Sequence, residues 1–236
     1  MYKYIKSFFD VTLAVFVVLL LLILLLPLMF ILRLTGEGEV FYLQERIGLN
    51  NEPFQIIKFA TMLKNSMNMG LGATTVRNDS RITPIGKFLR KSKINELPQV
   101  FNIIKGDMSI VGPRPLPYKS FVKYSDEVKE ILYKKKPGIT GIASLIFRDE
   151  EILASTVNDL GGVPIEYYKS YIYPYKGQLE LWYHNNISFG TDFFIIFLTA
   201  WQILFPKSNL VYKAFKELPL KPKELTLEGI HQLYKI

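Results

Sequence analysis

The chain has 236 residues, room for one ordinary domain and an appendage but not for two full domains. Hydrophobic residues make up 49%, and 29 Lys+Arg against 21 Asp+Glu leave a net charge of +8. That balance excludes a disordered or collagen-like chain and admits two classes of partner, nucleic acid and an anionic membrane surface. Cysteine is absent and the two histidines, His184 and His231, lie far apart, so disulfide scaffolds, thiolate chemistry and a multi-histidine metal site are excluded. Carboxylates and arginines, with or without a hard cation, remain as the main catalytic means.

Residues 11–32 form a run of 22 without a charge, rich in leucine. As a helix it is about 33 Å long at roughly 1.5 Å per residue, enough for a hydrocarbon core of about 30 Å. The run is too long for a signal peptide and no small-x-small cleavage site follows it, so it reads as a retained membrane anchor. Pro27 interrupts it, removing one backbone hydrogen bond and crowding the carbonyl of Ile23. Lys3 and Lys6 flank one end and Arg33 the other. A spanning helix leaves one basic flank outside, whereas a helix broken at Pro27 that dips in and returns keeps both inside; the residues alone leave these two paths level.

Beyond the break at residues 36–38, the β-rich runs 40–43 and 54–59 flank a turn-forming stretch, 48–53, and predict a hairpin. Residues 62–75 read as a polar loop, in which Gly70-Leu71-Gly72 is too little for a nucleotide loop. Short helices are expected at 85–90 and 97–105, with Asn95 at the N-cap of the second and Pro98 in its first turn. Residues 120–134 read as one amphipathic helix with Val122, Val128 and Leu132 on its apolar face. Residues 156–162 read as a loop, and 165–173 and 178–183 as helices. The apolar stretch 193–205 is too short to span and reads as an interfacial or a buried helix. Residues 207–236 carry six lysines and three glutamates, with Pro219 and Pro222 barring one continuous helix. The expected fold is mainly α with a small β-hairpin (α+β), divided into an anchor at 1–35, a catalytic domain with interfacial helices at 36–206 and a basic tail at 207–236.

Three segments carry chemistry. In Arg90-Lys91-Ser92-Lys93-Ile94-Asn95-Glu96-Leu97-Pro98-Gln99, a helix start offers unpaired N–H groups among basic side chains, with Glu96 as the carboxylate in their midst; a capped helix with a solvated basic face is the plainer reading. In Gly112-Pro113-Arg114-Pro115, two prolines restrict the backbone around one guanidinium, a group suited to bidentate phosphate contact; a rigid surface turn is the alternative. Asp79-Ser80-Arg81 sets another acid beside another cation. Phe147-Arg148-Asp149-Glu150-Glu151 offers three carboxylates for a cation or sugar hydroxyls, or simply a solvated face.

Taken in order, the apolar helix, Gln44-Glu45-Arg46-Ile47-Gly48, Lys58-Phe59-Ala60-Thr61-Met62, Asp79-Ser80-Arg81-Ile82-Thr83, Asn95-Glu96-Leu97-Pro98-Gln99, Lys105-Gly106-Asp107-Met108-Ser109, Gly112-Pro113-Arg114-Pro115 and Lys136-Pro137-Gly138-Ile139-Thr140-Gly141 resemble the bacterial sugar transferases, the monotopic phosphoglycosyl transferases. The resemblance covers roughly residues 6–205. It implies a re-entrant membrane helix turning at Pro27, on the cytoplasmic face of a bacterial inner membrane. It also implies transfer of a phosphosugar from a nucleoside diphosphate sugar, usually a UDP-sugar, to polyprenyl phosphate, with Mg2+ assisting. Nucleic acid is not an expected partner, since the aromatic residues form no recognisable RNA-binding pattern.

Carried onto this sequence, the family's acid pair falls on Asn95 and Glu96, and its phosphate-binding arginines on Arg90 and Arg114, with Arg81 a further candidate. Glu96 and Asp79 are the expected metal ligands. Two positions depart from the family pattern: Asn95 stands where an aspartate nucleophile is usual, and Ala60 where arginine is common. An amide is a far poorer nucleophile than a carboxylate and a weaker ligand for a hard dication. Four outcomes follow: Glu96 takes the covalent role, an acid such as Asp79 or Asp107 substitutes, transfer is direct, or the chain is a silent homologue that scaffolds a glycan-assembly complex. Glu96 is the preferred carboxylate.

Overall fold

The computed structural model describes residues 2–35, 37–69, 79–206 and 208–234. The 70–75 part of the expected polar loop and Lys207 lie outside them. The chain divides into two compact bodies, residues 3–46 with 54–108, and residues 47–53 with 109–236, Tyr2 being grouped with the second.

In the first body, α1 (Tyr2–Leu34) is a single helix with Pro27 inside it. The residues alone leave a kinked spanning helix and a break at Pro27 level, and the resemblance implies a turn there; the helix is continuous through Pro27. One lost N–H bond is tolerated because strong helix formers flank it on both sides, as in other apolar helices. Residues Tyr4–Leu34 are the one stretch, among the described residues, long and apolar enough to cross a membrane. One side of it is exposed, Ile23 at 80% and Leu24 at 67%, while Leu25 and Leu32 are buried.

The expected hairpin is present as β1 (Phe41–Ile47) paired with β2 (Pro53–Phe59). Next, α2 (Pro84–Lys91) starts with the Thr83 side chain accepting from the Gly86 amide at 3.1 Å and with Pro84 in its first turn. Gly86 has to be glycine, because a Cβ there would sit 2.1 Å from the Thr61 carbonyl oxygen. A 3-10 turn at Ile94–Glu96 leads into α3 (Gln99–Lys105), which Gly106 ends in the left-handed conformation, φ 93°. Asn102, fully buried, ties α3 to β2: its Oδ1 accepts from the Ile57 amide at 3.0 Å and its Nδ2 donates to the Gln55 carbonyl at 2.7 Å. Leu25 and Leu32 of α1 share one apolar core with Phe59 and Leu89, bordered by Leu21, Leu28, Ile85, Ile94 and Leu97.

The second body holds a feature the sequence reading missed, a parallel pair of three-residue strands, β3 (Ser109–Val111) and β4 (Gly138–Thr140), in register Ser109 to Gly138 and Val111 to Thr140. Between them, the single helix expected at 120–134 is two, α4 (Tyr118–Phe121) and α5 (Asp126–Leu132). Ser125 caps the second by accepting from the Val128 amide, so the chain restarts there, and Val122 is exposed while Val128 and Leu132 are buried. After β4 come α6 (Ile142–Ile146) and α7 (Glu150–Asp159), so most of the loop expected at 156–162 is helix. The two helices expected at 165–173 and 178–183 form one run: α8 (Pro164–Tyr167), a π-helical stretch Tyr168–Ile172, and α9 (Tyr173–Asn185).

Next, α10 (Phe189–Leu204) buries Asp192, Ile195, Leu198 and Gln202 and exposes Phe193, Phe194, Phe197, Ile203 and Leu204, a helix both packed and apolar outside. The stretch read as a basic tail contributes α11 (Leu210–Ala214), a 3-10 turn and α12 (Leu227–Leu233). Val211, Phe215, Leu218, Leu225 and Ile230 from it are buried in the main core beside Tyr167, Tyr175 and Leu179.

Candidate active site

The sequence reading placed Asn95 at a helix N-cap. The structure puts it inside the 3-10 turn Ile94–Glu96, and Pro98 occupies the cap of α3. Lys93, at φ 62°, turns the chain into this segment through the left-handed region, at a cost of roughly 1 kcal/mol or more for a residue with a Cβ. Ile94 and Leu97 border the core shared with α1. The acid-amide pair is therefore mounted on the anchor helix through its two apolar neighbours.

Asn95 is 8% exposed, and its Oδ1 has no hydrogen-bond partner. An orphaned buried acceptor costs about 1–3 kcal/mol, so it marks a place where a ligand's donor group is stabilised. Glu96 Oε1 lies 3.8 Å from Lys58 Nζ on β2, both side chains being less than one-fifth exposed. Sequence reasoning quoted Lys58 without giving it a role; its position one residue before the buried Phe59, in a half-buried strand, was the available signal. Arg90 lies in the last turn of α2, which packs on the 3-10 turn, and its Nη1 lies 3.9 Å from the Met62 sulfur. Arg90 also helps to lower the Asp79 pKa, so its charge is felt in this region.

Arg81 and Asp79 are occupied otherwise than expected. The Arg81 Nε and Nη2 donate to the two Asp79 carboxylate oxygens at 2.9 and 2.5 Å, and Nη1 donates to the Ser66 and Met69 carbonyls at 2.7 and 2.9 Å. Both residues are buried, and the guanidinium holds the Asp79 carboxyl down at about 2. This bidentate pair closes the loop 66–69 onto residues 79–81. Arg81 and Asp79, offered from sequence for substrate phosphate and for a metal, are engaged with each other and with the loop carbonyls here. Asp107 lies 3.1 Å from Lys105.

In the second body, Arg114 is exposed on a loop whose backbone is fixed from beneath. The buried Tyr133 hydroxyl donates to the Arg114 carbonyl at 2.8 Å and accepts from the Leu116 amide at 2.9 Å. Gly112 and Gly138 let the strands meet there: a Cβ on Gly138 would lie 2.1 Å from the Gly112 nitrogen. The prolines flanking Arg114 stiffen a loop that this contact already holds. The acids at 149–150 form no cation site, since Lys221 holds Asp149 at 3.0 Å and Lys176 holds Glu150 at 2.7 Å. Arg148 is exposed.

The chain is 34% identical over 206 residues to the UDP-N-acetylgalactosamine-undecaprenyl-phosphate N-acetylgalactosaminephosphotransferase of Aeromonas hydrophila, covering 86% of this chain and 44% of that protein. It is 33% identical over 200 residues to a Bacillus subtilis protein named uncharacterized sugar transferase EpsL, covering 85% of this chain and 87% of that one. A third relative, the undecaprenyl-phosphate galactose phosphotransferase of Salmonella typhimurium, is 31% identical over 86% of this chain and 41% of its own length. The chain thus spans less than half of the first and third relatives and most of the second. Residues 1–206 match the family model for bacterial sugar transferases, and the chain belongs to that family.

Proposed function

We propose that the protein is a phosphoglycosyl transferase that moves a phosphosugar from a nucleoside diphosphate sugar, a UDP-sugar by the names of two relatives, to undecaprenyl phosphate, starting a bacterial surface glycan. The observation that carries this reading is the shared core of Leu25, Leu32, Phe59 and Leu89, bordered by Ile94 and Leu97, which ties an amide and a carboxylate to an apolar anchor. A donor dissolved in water and an acceptor confined to lipid meet where chemistry and anchor are one assembly. The reading includes a re-entrant α1 on the cytoplasmic face of the inner membrane. Its support is the basic flanks Lys6 and Arg33 and the Pro27 within the helix.

Phosphoryl transfer depends on positioning and charge neutralisation more than on proton shuttling. Arg90 supplies a guanidinium group for the diphosphate, the contact contributing about 1.5–3 kcal/mol, and Arg114 is a phosphate-binding candidate by the resemblance. Lys58 orients Glu96. Magnesium keeps much of its water and takes one or two carboxylates plus substrate phosphates, a donor set that Glu96 fits better than Asp79, which is paired with Arg81. When bound, the ion neutralises charge on the phosphates.

The test uses full-length protein in phospholipid vesicles containing undecaprenyl phosphate and Mg2+, supplied in turn with UDP-N-acetylgalactosamine, UDP-galactose and UDP-glucose. UMP and a lipid-linked phosphosugar are expected from at least one donor. Glu96→Gln, Arg90→Ala and Arg114→Ala are each expected to slow release roughly 10- to 100-fold; an unchanged rate removes that residue from the mechanism. Asn95 favours one other reading, a silent homologue, which predicts donor binding without UMP from any of the three.

A further inference from the structure

The site elements of the first body carry three carboxylates, and each already has a cation beside it. Asp79 is held bidentate by Arg81, Asp107 lies 3.1 Å from Lys105, and Glu96 lies 3.8 Å from Lys58. The fourth polar group, Asn95, is an uncharged amide whose nitrogen lone pair is delocalised, which makes it a poor nucleophile toward phosphorus. It is nevertheless buried with an unpartnered acceptor oxygen. Of the acid-amide pair only Glu96 offers a carboxylate, and it faces Lys58, whose positive charge stabilises the anion and weakens it as a nucleophile. The lipid acceptor competes with it directly, because a phosphate monoester carries roughly −1.5 to −2 charges near neutral pH and its own oxygen can attack.

We propose, resting on the transferase reading above, that this chain transfers the phosphosugar in one in-line displacement without a phosphosugar–enzyme intermediate, Asn95 Oδ1 accepting a hydrogen bond from a hydroxyl of the donor. A lipid phosphate oxygen forms the new bond to the sugar-bearing phosphorus. The bond from that phosphorus to the bridging oxygen breaks, and its electron pair leaves on the nucleoside monophosphate. No proton has to move in the step. Both substrates must be bound together, so the donor alone yields nothing.

The experiment takes the full chain in vesicles and the UDP-sugar that gives product in the assay above, with and without undecaprenyl phosphate. Expected results are UMP release only with the lipid, no exchange of labelled UMP into UDP-sugar without it, intersecting double-reciprocal plots, and an intact-chain mass unchanged by donor. Asn95→Ala is expected to raise the donor KM several-fold more than it lowers kcat. Label exchange, or a phosphosugar adduct on Glu96 or any other side chain, overturns direct transfer while the transferase reading stands. An unchanged donor KM in Asn95→Ala overturns the acceptor role. Absence of product with both substrates present overturns the transferase reading and this inference with it.

Discussion

The two bodies close their cores by opposite means. In the first, the cluster bordered by Ile94 and Leu97 takes Leu25 and Leu32 from the apolar helix that precedes it in the chain. The second has a broad core that is finished from its far end, by Val211, Phe215, Leu218, Leu225 and Ile230. Its tyrosine hydroxyls are tied to backbone carbonyls, Tyr167 to Glu224 and Tyr175 to Pro219, both at 2.7 Å. The cluster beneath the acid-amide pair thus leans on the N-terminal apolar helix, while the core of the other body is sealed by residues beyond the family match. Local stability differs within one chain in this way when chemistry and scaffold are given to different segments.

Ending the chain after Pro206 breaks the comparison most severely. Five buried apolar side chains are lost, each contributing about 1.5–3 kcal/mol, a total of the same order as the stability of a whole domain. The second body is expected to lose amide protection across α7 and α9 in hydrogen exchange while α2 and α3 keep theirs; equal loss in both bodies contradicts the division. Phe59→Ala probes the other side. It removes an aromatic ring that is 2% exposed, at a cost of about 3–5 kcal/mol, and faster exchange is expected at α2 and the Ile94–Glu96 turn with none at α9.

The smallest effect is a pH dependence. Burial in α9 pushes the Glu180 carboxyl up to about 8, against the opposing charge of Lys176. The folded state therefore keeps a proton that the unfolded chain has lost, and stability falls as pH rises from about 4.5 to about 8. Glu180→Gln is expected to flatten that slope in thermal unfolding of the second body; an unaltered slope assigns the dependence to another group.

What could be read from the sequence followed the strength of local signals. The anchor, the hairpin, α2 and the start of α3 near Pro98 were legible because apolar runs, turn residues and Thr83-Pro84 act over a few residues. The pairing of β3 with β4 was not, since three-residue strands carry no period and their partners lie 29 positions apart, Ser109 to Gly138. Ser125 inside a charged run hid a helix start, and the lysines of residues 207–236 drew attention away from the spaced apolar residues that fill the core. Among the candidate residues, Asn95, Glu96, Arg90 and Arg114 were named from sequence, but the pairing of Arg81 with Asp79 shows only in the fold. Charge is visible in a sequence; which partner consumes it is a tertiary fact.

The anchor helix has two sides with different neighbours, Ile23 and Leu24 facing outward and Leu25 and Leu32 facing Leu89. Whatever apolar medium covers the first side leaves the second to the protein itself. A small amphiphile that reached Leu25 is expected to loosen the footing of Ile94 and Leu97, and with it the turn that they border.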